Sequence, residues 1–176
     1  MRWLVVAGLS AVLLFPAPAG GHHAKREHHR MTFEFASWVA VEYLAKRGVT
    51  LPCHPRQHLY TNAEDAELQA KYRAAGIATE GERVDMTADV ETCTVGVTPD
   101  LDWYRTEPGY KWIYCRGIVH EFGHLAGLSH PTPETPGLAI MDIEQNAVPW
   151  GCDHPLKFRR AIRHQGRSGQ GVSSSP

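Results

Sequence analysis

A mixed α and β fold in a single domain is what this sequence predicts, on three observations. Helix start, stop and periodicity signals recur at 32–47, 62–75, 112–126 and 153–162. β-branched and other strand-forming residues gather instead at 49–60 and 82–99. The length, 176 residues, suits one domain, and residues 20–176 suffice for one core. No internal repeat interrupts this pattern.

The chain opens like an export signal. Arg2 supplies the positive start, Trp3 to Phe15 is almost wholly apolar, and Ala17-Pro18-Ala19 offers a small-residue cleavage site after Ala19. The apolar run falls short of the roughly 20 residues a spanning helix needs, so no stable membrane insertion is expected after cleavage. Residues 20–30, rich in His, Lys and Arg, read as a flexible mature N-terminus. A folded domain over 31–164 is expected to follow, then a Gly/Ser-rich disordered tail over 165–176.

Within the domain, Thr32 caps the first helix, Phe35, Trp38, Val39, Val41 and Leu44 give it an apolar face, and Gly48 closes it. Residues 49–60 are strand-like, but Pro52 and Pro55 demand an edge position. Asn62 starts a polar surface helix that ends at Gly76. Val84, Met86, Val90, Thr92, Thr94, Val95 and Val97 mark one or two strands. Residues 100–110 read as a loop, whose Asp100 and Asp102 are better explained as a solvated turn than as calcium ligands. Trp112 to Ala126 forms a helix packed through Ile113, Val119, Phe122 and Leu125. Three prolines stiffen 131–137, and Asp153 with Pro155 opens a last helix whose outer face carries Arg159, Arg160 and Arg163.

Formal net charge is −1, so no global field points to nucleic acid or to a membrane surface, and a monomer is expected. Four cysteines, Cys53, Cys93, Cys115 and Cys152, in an exported chain predict two disulfides. None has the C-x-x-C spacing of a thiolate metal site. Three connectivities are open; Cys93–Cys115 would tie a strand to the helix after 112, leaving Cys53–Cys152.

The run from His120 to His130, HEFGHLAGLSH, carries the chemistry. His120 and His124 stand one helical turn apart on one face. Gly127 can take positive φ, end the helix and turn the chain so that His130 reaches the same metal. Three neutral imidazoles leave one tetrahedral position open for water, the arrangement of a catalytic Zn2+ site. Glu121, beside the first ligand, can act as general base without ligating.

This pattern, H-E-x-x-H-x-x-G-x-x-H, resembles the zinc-binding consensus of the metzincin metallopeptidases. That family also has a methionine turn below the metal, and Met141, 11 residues past His130, matches it. The short connection is similar to that of matrixin-like members. Ile143 stands where some members have a tyrosine, so no tyrosine ligand or oxyanion stabiliser carries over. The resemblance implies an α+β, zincin-like fold: a small twisted mixed sheet, backing helices and a small C-terminal subdomain after Gly127. It implies a secreted zinc metalloendopeptidase acting on a protein or peptide substrate. The peptide would lie along an exposed strand edge, with 91–98 as the expected edge. A zinc-dependent lytic enzyme on cell-wall peptide crosslinks and a non-catalytic metal-bearing binding module are the alternatives; a binder would not need Glu121.

Overall fold

The computed structural model describes residues 31–107, 109–132, 137–142 and 147–168. The expected signal segment, the mature N-terminus, residues 133–136 and 143–146, and the last eight residues lie outside the described part. The architecture is a small α+β fold with a three-stranded mixed sheet.

Helix α1, Phe33–Ala45, begins where Thr32 accepts a hydrogen bond from the Phe35 N–H at 3.1 Å. Its buried face is Phe35, Ala36, Val39, Ala40 and Leu44. Trp38 and Val41, expected in that face, are instead about half exposed, at 51% and 49%. The small residues Ala36 and Ala40 take the inner positions and let α1 pack closely on α4, Lys111–Leu125. Phe33 meets Phe122 edge to face, with ring centroids 6.1 Å apart. The core begins at Met31, which is buried and whose N–H donates to the Arg105 carbonyl at 3.0 Å.

Strand β1, Arg56–Leu59, follows the two prolines and lies at a sheet edge, as they require. Helix α2, Asn62–Ala74, is capped by Thr61 rather than by Asn62. Thr61 and Glu64 form a reciprocal capping box, so the extended residue is the one before the expected cap. Strands β2, Met86–Asp89, and β3, Thr94–Val97, pair antiparallel, and β3 pairs parallel with β1. The order β1-β3-β2 makes β3 the central strand. The expected peptide edge at 91–98 is therefore wrong, because β3 spends its backbone groups on both neighbours; the edges are β1 and β2. Val95 and Val97 are fully buried and face the helices.

The segment expected as a loop after 99 contains a short helix, α3, Pro99–Tyr104, with Pro99 at its first position. Asp100 pairs with Arg83 at 3.1 Å and Asp102 with Arg105 at 2.7 Å, so each carboxylate has a guanidinium group beside it. After α4 come a 3-10 turn, Ala139–Met141, a short helix α5, Trp150–Asp153, and α6, Pro155–Ser168. Asp153 ends α5 instead of capping α6, and α6 runs four residues into the expected tail.

Both disulfides are present, but neither expected pairing is. Cys53 bonds Cys93, and Cys115 bonds Cys152. The parallel register puts Arg56 opposite Thr94, so the residues just before β1 and β3 meet at one end of the sheet. Cys115 lies on the buried face of α4 where α5 packs, out of reach of the strand start. Under denaturing, non-reducing conditions the mature chain should show no titratable thiol. Four thiols would overturn both the bridges and the oxidising compartment they imply. Among the described residues no helix is long and apolar enough to cross a membrane.

Candidate metal centre

Helix α4 supplies three of the four expected site residues. Ile118, Val119, Phe122 and Leu125 anchor it in the core, which turns His120 and His124 toward the cleft. The helix ends at Gly127, whose φ is +83°, a value that L-residues rarely adopt. The Gly127 N–H donates to His124 and the Leu128 N–H to Gly123, both at 2.9 Å; these are the two bonds of a Schellman motif. The reversal brings His130 back, and the three rings converge.

The Nε2 atoms of His120, His124 and His130 are 3.1, 3.2 and 3.2 Å apart. A tetrahedral ion bound at about 2.0–2.1 Å needs nitrogen separations of roughly 3.3 Å, so the triangle nearly fits one face of that tetrahedron. The outer nitrogens fix the tautomers. His120 Nδ1–H donates to the Ile140 carbonyl at 2.8 Å and His124 Nδ1–H to the Leu128 carbonyl at 2.9 Å. A carbonyl only accepts, so each Nδ1 carries the proton and each Nε2 presents a lone pair. Desolvation, with smaller contributions from the neighbouring rings and Arg116, pushes the His120 imidazole down to about 4. Burial also lowers His124. Ring nitrogens packed this closely, with His120 and His124 resisting protonation, suit a divalent cation. No other group of three or more potential ligands is found among the described residues.

Glu121 is buried, 7% exposed, on the wall of the same cleft. Burial pushes its carboxyl up to about 8. The cleft is a cavity of about 890 Å³ between α4 on one side and β2 with its lead-in from Glu82 on the other.

Met141 is fully buried in the 3-10 turn, whose neighbouring Ile140 carbonyl holds His120. Its sulfur lies over Gly123, where a Cβ would collide with it. Gly123 is a residue the sequence left unassigned: an unspecified position in the motif must be small because a methionine packs there. Met141→Leu should change stability by under about 1.5 kcal/mol, since volume is nearly kept. Gly123→Ala should cost about 1–3 kcal/mol by overpacking. Thermal melts of the chelated proteins would rank them; loss of bound metal from Met141→Leu alone would assign the sulfur a different role.

Comparison of the chain with protein-family models, with curated proteins and with solved structures finds no match.

The two large shifts at the site, those of His120 and Glu121, set a pH signature for the chelated protein. His120 titrates near 4 when folded, against an ordinary 6.5, so its contribution is present above 6.5 and is lost as pH falls toward 4. Glu121 titrates near 8 folded, against 4.5, so its contribution is present below 4.5 and is lost as pH rises through 8. The two oppose each other between 4.5 and 6.5, and Glu121 dominates from 6.5 to 8. Denaturant melts in chelator should therefore show stability falling from pH 6.5 to 8. A rise over that window would mean that Glu121 is ionised without metal.

Proposed function

We propose that this chain is a secreted zinc-dependent metalloendopeptidase of the metzincin type. The observation that carries the reading is the convergence of three imidazoles from the motif His120–His130, two of them fixed in tautomer by backbone carbonyls, beside a buried glutamate. Imidazole ligands with no thiolate suit zinc, although other late first-row ions accept the same donors. All four cysteines are in disulfides, which supports export.

When bound, zinc supplies Lewis acidity, lowering the pKa of water toward about 7 and polarising a carbonyl. His120, His124 and His130 would hold it. Glu121 takes a proton from the attacking water and passes it to the leaving amine. Burial opposes ionisation of this carboxyl, while positive charge held by the three imidazoles favours it. A carboxyl under these opposed influences can both accept and return a proton. The peptide runs along β2, the edge strand bordering the cleft, and takes its backbone hydrogen bonds there.

A casein digest of the purified mature protein, with and without a chelator and with zinc added back, tests this. Cleavage that chelation stops and zinc restores is the expected result. A zinc-loaded protein that cuts neither casein nor cell-wall peptides would favour a binding module.

A further inference from the structure

Helix α2 is a polar surface helix that buries one residue, Gln69. Its side-chain amide is fully engaged with a backbone. Gln69 Oε1 accepts from the Val84 N–H at 3.1 Å, and Gln69 Nε2 donates to the Val84 carbonyl at 2.8 Å. The same Nε2 donates to Asp65 Oδ1 at 2.8 Å, and Arg83 holds the other Asp65 oxygen at 2.7 Å. Asp65 only accepts, so the amide orientation is fixed. An N–H and a C=O bonded together are what a neighbouring strand gives a residue at a sheet edge.

The register of β2 shows which edge Val84 faces. The Thr98 N–H donates to the Asp85 carbonyl, and Met86 stands opposite Val97. Asp85, Thr87 and Asp89 therefore turn their backbone groups toward β3. Val84, Met86 and Ala88 turn theirs outward, toward the cleft edge. Among the described residues no hydrogen bond is made to the outward groups of Met86 and Ala88.

We infer that Gln69 is a positioning residue that ends the substrate-binding edge of β2: it fills the strand position at Val84 and confines backbone pairing to Met86 and Ala88. The inference rests on the peptidase reading above. It predicts that the enzyme gains nothing from substrate residues that would reach past Met86 toward Val84. Gln69→Ala removes the amide and uncovers two backbone groups for a longer peptide. Gln69→Leu removes the hydrogen bonds but keeps the position filled.

The test uses a peptide found in the casein digest, trimmed one residue at a time from each end. In the wild type, kcat/KM should stop rising at a fixed length on one side. In Gln69→Ala the plateau on that side should move out by about two residues, with a gain of about fivefold or more, as two net backbone hydrogen bonds provide. In Gln69→Leu the plateau should stay. A merely structural role would lower activity at every length and leave the plateau in place, and that result in Gln69→Ala overturns the inference. If Gln69→Ala does not fold, amide exchange of the full-length peptide on zinc-loaded Glu121→Gln decides. Met86 and Ala88 should gain protection while Val84 does not change; added protection at Val84 overturns the inference. Zinc-loaded wild type that cleaves no peptide overturns the peptidase reading, and this inference with it.

Discussion

Glu121→Gln should retain metal at the wild-type level and lose peptide cleavage by about 10²–10⁴-fold or more. The substitution keeps length, shape and burial while replacing a carboxylate that can accept a proton with an amide that cannot. Glu121 is not one of the three converging ligands, so metal content should not change. The loss belongs at the upper end because the carboxylate also orients the attacking water. A neutral amide suits a buried wall, so the variant should not be destabilised. In chelator it should also lose the fall in stability between pH 6.5 and 8 predicted for the wild type. Elemental analysis and a quenched peptide substrate settle the matter together. Cleavage near the wild-type rate would remove Glu121 from the chemistry.

His124→Ala should lose metal and activity at once. Two imidazoles do not hold an open tetrahedral site well, and affinity should fall by orders of magnitude. The Leu128 carbonyl also loses its imidazole donor just where the chain reverses toward His130. The diagnostic is the effect of chelation on the thermal midpoint. The wild type should melt lower in chelator, because a ligand that binds only the folded state stabilises it. His124→Ala should melt at one temperature with or without chelator. A variant that still carries stoichiometric zinc after gel filtration would show that the three-histidine assignment is wrong.

The contrast between these two variants depends on residues that were legible because their signals are local. The spacing of His120, His124 and His130, and the glycine at 127, are fixed by helix periodicity and one backbone conformation. The first helix was legible for the same reason, from Thr32 to Gly48. What the sequence concealed is non-local. Nothing in 91–98 shows that β3 will be flanked on both sides, since that depends on where β1 docks. The cysteine pairing follows from the same docking, which sets Cys53 beside Cys93. Trp38 and Val41 misled because apolar character says that a residue can be buried, not that a partner will cover it. Gln69 was unreadable because a glutamine in a polar helix looks like any solvated residue until its strand partner is placed.

The two disulfides close separate rings that follow one another along the chain, spanning 53–93 and 115–152. Every residue assigned to the chemistry, from His120 through Met141, lies within the second ring. A single backbone cut between the two cysteines of that ring leaves both fragments covalently joined, with all three imidazoles on one molecule. Under the proposed peptidase activity the chain is exposed to its own cleavage, and such a ring turns a nick from a loss of ligands into a local break. No bridge joins the first ring to the second. Sheet and helix α4, the two sides of the cleft, are held together by packing and by the Gln57–Tyr114 hydrogen bond at 2.9 Å, so their separation can change without straining a disulfide.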